Sequence, residues 1–271
     1  MAGAGLLVLT WYLAFHVGAF ERADQSIFGG FYDLHGRRRI STVAQFVARL
    51  CDPNPYVYLA AVPVLAALVR GRPRVLLGVG TILLGANVTT QLLKPALAHP
   101  RAHSLLPGAV VSPASWPSGH ATAAMALALC CVLAAPSRLR PAVAALGAAF
   151  AVAVSYSFLA LGWHYPSDVF GGFLVAGTWT MLVVAAISAA DARWPRGARS
   201  GPPARVSVRD ALAPQLALVA GTAAVAVFIA LARPHSVVAY ARTHEVFVLG
   251  AAAIGVLALA VASAITLTVR R

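Results

Sequence analysis

Eight apolar runs, near 3–20, 55–70, 75–93, 119–136, 141–162, 167–190, 213–232 and 246–268, occupy most of the 271 residues. Each approaches or exceeds the roughly 17–25 residues that a helix needs to cross a bilayer core. With 60% hydrophobic and only 11% charged residues, the chain lacks the charge that a soluble domain of this length carries on its surface. The expected fold is all-α, a polytopic membrane helix bundle of about eight spans.

The connectors divide by charge. "GRPR" (71–74), "PSRLRP" (136–141), "DARWPRGARSGPPARVSVRD" (191–210) and the terminal "VRR" are basic. They fall on one side if every run crosses, which by the positive-inside rule makes that side, and both termini, cytoplasmic. The same rule accounts for the net charge of +13, from 21 Lys+Arg against 8 Asp+Glu, without nucleic acid as a partner. Segments 21–54, 94–118, 163–166 and 233–245 then face outward. Within 21–54, Arg37, Arg38 and Arg39 precede Ile40, Val43, Val47 and Leu50, spaced as one apolar helix face, which suits a helix lying in the membrane interface. Residues 1–190 are expected to form a six-helix core, 191–212 a basic cytoplasmic linker and 213–271 a two-helix transmembrane tail. Gly78, Gly80 and Gly85, and Gly171, Gly172 and Gly177, are expected to let helices approach closely. Cys51, Cys130 and Cys131 show neither a disulfide framework nor zinc spacing.

Three polar stretches share the outer face. "KPALAHPRA" carries Lys94 and Arg101, and "SWPSGHAT" carries Ser118, Gly119 and His120. "LALGWHYPSDVFGG" carries His164 and Asp168, the only ionic side chains between Arg140 and Asp191. Lys94 is the only lysine, which marks a site suited to a compact ammonium. Pro117-Ser118-Gly119-His120 opens a helix whose first amides lack internal partners, an anion seat to which Ser118 adds a donor and Lys94 and Arg101 add charge. Asp168, four residues beyond His164, can accept from one ring nitrogen and raise the basicity of the other, which can then attack phosphorus. His120 can protonate the leaving oxygen. A zinc site built from two His and one Asp is disfavoured by the adjacent cations. His16, His35, His235 and His244 are expected to be interfacial filler.

These three stretches, K-PALAHP-R, PSGH and S-FLALGW-H-YPS-D, resemble the signature motifs of the type 2 phosphatidic acid phosphatase family, to which undecaprenyl-pyrophosphate phosphatases of bacteria are related. The resemblance implies metal-independent, cofactor-free hydrolysis of a phosphomonoester or pyrophosphate on a lipid. His164 would be the nucleophile, forming a phosphohistidine; Asp168 would orient it and His120 would be the general acid. Lys94, Arg101, Ser118 and Gly119 would hold the phosphate. Two positions depart from the pattern: Ala102 stands where the family has proline, and Phe158 follows Ser157 where the family has arginine. The second departure leaves open a lipid phosphotransferase on the same scaffold, or a non-catalytic membrane protein that binds or transports a lipid phosphate. The topology is directly testable. Cysteines placed at Ala102 and Ser200 are expected to label from opposite sides with an impermeant thiol reagent, Ala102 from outside; labelling from one side would contradict it.

Overall fold

A computed structural model describes residues 2–100, 111–195 and 207–269. Arg101, Ala102 and Ser200 lie outside the described residues, as do Arg196, Arg199, Arg205, Arg270 and Arg271. The described residues form eleven helices: α1 (Ala2–His16), α2 (Gly18–Tyr32), α3 (Arg38–Arg49), α4 (Pro53–Val69), α5 (Pro73–Ala96), α6 (Gly119–Ala134), α7 (Arg140–Ala160), α8 (Pro166–Arg193), α9 (Val208–Ala232), α10 (Pro234–Thr243) and α11 (Glu245–Thr268). Proline sits in the first turn of α4, α5, α7, α8 and α10, where its missing N–H removes no helical bond.

Five of these helices, α5, α7, α8, α9 and α11, are long and apolar enough to cross a membrane. The expected run 3–20 is not one straight helix. The chain is extended at Val17 and turns by 86° between α1 and α2, so α1 and α2 together make at most a broken sixth span. The segment after it, expected to be a connector, is largely helical. α2 is amphipathic and directs buried Asp24, Phe28 and Phe31 into the bundle. α3 forms as expected from its apolar spacing, but the face it buries centres on Ala44 and Ala48, while Val43 is exposed.

The runs 55–70 and 119–136 are helices of only 17 and 16 residues. α6 is the centre of the bundle, packed by α4, α5, α7 and α8. Its sequence GHATAAMALALCCVLA is apolar on every side, and thirteen of its sixteen residues are buried. At 1.5 Å per residue it measures about 24 Å, short of the roughly 30 Å hydrocarbon core. Its neighbours enclose it, so it has little lipid to match. α11 runs along α7, α2 and α8 and buries Ile254, Ala258, Ala262 and Ile265 on one stripe.

Close approach is concentrated at particular glycines. A Cβ on Gly172 of α8 would stand 2.8 Å from the Ser118 carbonyl oxygen and 2.9 Å from the Thr122 nitrogen, both backbone atoms of the α6 start. A Cβ on Gly85 would meet the Trp179 ring at 2.8 Å. Gly80, expected to pack in the same way, has nothing within 4 Å. Overpacking costs roughly 1–3 kcal/mol, whereas Gly→Ala in an open helix position gains up to about 1 kcal/mol. Gly172→Ala is therefore expected to lower the thermal unfolding temperature in detergent, and Gly80→Ala to leave it unchanged or raise it. Equal effects would contradict this packing.

Candidate active site

The site is assembled where the starts of α6 and α8 meet. Ser118 donates its backbone N–H to the Asp168 carbonyl oxygen at 2.9 Å, which pins the second polar stretch to the third. Ser118 is the N-cap of α6, and its hydroxyl oxygen accepts from the Ala121 N–H at 3.3 Å. Its remaining offer to an anion is the hydroxyl hydrogen. The Gly119 and His120 N–H groups have no acceptor among the described residues, as the first turn of a helix dictates. A Cβ on Gly119 would come within 3.6 Å of Lys94 Nζ, so the ammonium at the end of α5 faces this open first turn. Positive charge and unpaired donors thus converge at the start of α6.

His164 precedes α8 in the turn that closes α7. Its Nδ1 lies 3.2 Å from Asp168 Oδ2, and both residues are buried. The same Oδ2 accepts the Tyr165 N–H at 3.0 Å, while the Asp168 N–H donates to the Tyr165 carbonyl at 3.0 Å. This reciprocal cap orients the carboxylate before it touches the imidazole. Asp168 is thereby a hydrogen-bond acceptor for Nδ1–H, which leaves Nε2 of His164 with its lone pair.

His120 joins the same cluster through aromatic contacts. The Phe158 ring lies 5.2 Å from the His164 ring and 6.1 Å from the His120 ring, centroid to centroid, and Trp163 stands 5.8 Å from His120. Phe158 is completely buried. It fills the volume between the two imidazoles and offers no donor to a phosphate.

Two carboxylates that the sequence reading passed over belong to this region. Asp52, at the start of α4, places Oδ1 3.0 Å from His120 Nε2. Asp24, on α2, receives the Ser167 N–H at 2.8 Å and the Ser167 hydroxyl at 2.7 Å. It thus clamps the first turn of α8, one residue from Asp168. The available signal was cost: Asp24 is a carboxylate among apolar helices, buried to 6% exposure. Its partner lies 143 positions away, which no local pattern reveals. Beside Asp52, burial and then the Asp52 charge push the Cys51 thiol up to about 12, so Cys51 stays a neutral thiol. Of the four histidines expected to be filler, His244 instead approaches Asp33 at 3.1 Å and joins α2 to the α10–α11 junction.

These polar residues are gathered at one end of the helix bundle. Residues 75–191 match the family model of the PAP2 superfamily. Among solved structures, the transmembrane PAP2-type phosphatidylglycerolphosphate phosphatase from Bacillus subtilis is similar in fold, with a TM-score of 0.55 and 22% sequence identity, over 73% of this chain and 98% of that one. The sequence has no match among curated proteins.

The Asp24 clamp predicts a coupling. A hydrogen bond to a charged group contributes roughly 1.5–3 kcal/mol, so a double-mutant cycle with Asp24→Ala and Ser167→Ala is expected to give an interaction energy of that order. Additive effects on stability would mean that the pair does not hold α8.

Proposed function

We propose that the chain is a lipid phosphatase that hydrolyses a phosphomonoester or pyrophosphate of a lipid through a phosphohistidine on His164, without a metal. The observation that carries this reading is the His164–Asp168 bond, because it leaves Nε2 as a nucleophile beside a cationic, donor-rich helix start. Lys94, the Gly119 and His120 N–H groups and the Ser118 hydroxyl receive the phosphate oxygens, joined by Arg101. Nε2 attacks phosphorus, the bond to the lipid oxygen breaks, and the His120 imidazolium gives that oxygen a proton. Water then attacks the phosphohistidine, neutral His120 takes its proton, and inorganic phosphate leaves with His164 restored. Asp52 supports this cycle by accepting from His120 and fixing the orientation of its ring.

The arginine distribution supports an extracytoplasmic active site with both termini cytoplasmic. One observation favours a second reading. Phe158 places an apolar ring where the family pattern has a cation, and weaker hold on the leaving phosphate suits its transfer to an acceptor other than water.

A panel of lipid phosphates presented to the purified chain separates these readings. Phosphate release is expected without any acceptor, unaffected by EDTA and inhibited by vanadate, which mimics pentacoordinate phosphorus. His164→Ala is expected to abolish it. Asp52→Asn is expected to lower kcat about 10- to 100-fold, as the loss of one charge-assisted bond dictates, with KM little changed. Turnover that needs an added acceptor alcohol would establish transfer instead, and full activity of His164→Ala would sink both.

A further inference from the structure

A polar cavity lies at the end of the bundle opposite the candidate active site. There α5 and α7 begin, and α6, α8 and α11 finish. The cavity is about 490 Å³ and is lined by Arg72, Arg140, Ser188 and Asp191 beside the apolar side chains of Val75 and Val184.

Arg140, the first residue of α7, is only 7% exposed. One of its Nη groups donates to the Val269 carbonyl at the end of α11. Its Nε–H is buried and has no partner among the described residues, and it forms no ion pair with a carboxylate among them. Arg72 donates from Nη1 to the Leu133 carbonyl at 2.9 Å, at the end of α6. Asp191 is held by Arg74, whose other nitrogen donates to the Trp194 carbonyl at 2.8 Å. The carboxylate in the lining therefore already has its own cation.

Capping the end of α11 explains one N–H of Arg140. It does not explain a roomy cavity beside it. A guanidinium has five N–H donors, and a helix-end carbonyl supplies only a partial negative charge. Arg140 and Arg72 thus face a polar cavity, and Arg140 is desolvated there without a full counter-charge among the described residues, which is a costly arrangement unless an anion enters. The guanidinium fork matches phosphate oxygens bidentately. Apolar Val75 and Val184 beside it suit an amphiphile.

We propose that this cavity binds a phosphate group, with Arg140 and Arg72 as its cationic partners and Ser188 as a hydroxyl donor. The head of an anionic phospholipid and free phosphate present the same chemistry. Binding here joins the start of α7 to the end of α11 at a distance from His164, and it requires no turnover.

The test uses the full chain. In phosphatidylcholine nanodiscs, added phosphatidylglycerol is expected to raise the unfolding temperature, because a ligand that binds only the folded state stabilises it. Native mass spectrometry is expected to show phosphatidylglycerol retained in preference to phosphatidylcholine. In detergent, inorganic phosphate is compared with chloride at equal ionic strength. Stabilisation by phosphatidylglycerol alone assigns the site to lipid, and stabilisation by both assigns it to the phosphate group itself. Arg140→Gln is expected to weaken retention about tenfold or more, the loss of one charge-assisted contact. Ser188→Phe, at an exposed position, fills the cavity without removing a charge and is expected to do the same, which guards against misfolding of the arginine variant. His164→Ala is expected to bind as the unaltered chain does. No stabilisation by either probe, undiminished retention in Ser188→Phe, or loss of retention in His164→Ala would overturn the proposal.

Discussion

The hydrogen bond from the Ser118 N–H to the Asp168 carbonyl holds the first turns of α6 and α8 in register, and the site rests on it. It forms only because Gly172 lets the two helices touch; any side chain there would meet the Ser118 carbonyl and the Thr122 nitrogen. With α6 and α8 so joined, the turn before α8 brings His164 alongside Phe158, and Phe158 spaces it from His120 on α6. Lys94 reaches the same point because α5 runs antiparallel to α6 and ends where α6 starts. One backbone bond and one missing Cβ thus align three stretches that are dispersed over more than seventy positions.

Carboxylates do the long-range orienting. The chain has only eight Asp and Glu. Asp24 meets Ser167, Asp33 meets His244, Asp52 meets His120, and Asp191 meets Arg74, each across two distant elements. In lipid the hydrophobic effect does little to choose among helix arrangements, because hydrocarbon and apolar side chains are alike. Close packing at small residues and a few polar pairs must make the choice. Each of these pairs has at least one partner at a helix end, where water or neighbouring helices reduce its cost.

Phe158 sets the character of the space between the two imidazoles. A cation there would add to the positive charge of Lys94 and the α6 start. The aromatic ring instead makes the space between the imidazoles apolar and fixed in shape. Dispersion and shape hold the two rings apart.

The long apolar helices and the three polar stretches were legible because they depend on local chemistry: apolar runs of membrane length, prolines in first turns, and a histidine four residues from an aspartate. The two carboxylates at Asp24 and Asp52 were not legible, since their partners are 143 and 68 positions away and no spacing links them. The bend at Val17 escaped for a related reason. Apolar composition continues up to it, and what favours the turn is the packing of α2, whose Asp24 reaches α8 and whose Phe31 reaches α11. Gly80 and Gly85 look alike in sequence, yet only Gly85 faces a neighbour. Sequence alone determined that the chain is a membrane helix bundle and which polar residues stand at its helix ends, because hydropathy and side-chain chemistry are properties of single residues and short segments. Tertiary structure decided which of those residues meet and which outside carboxylates orient them, because contacts between helices depend on register and close approach that no single segment contains.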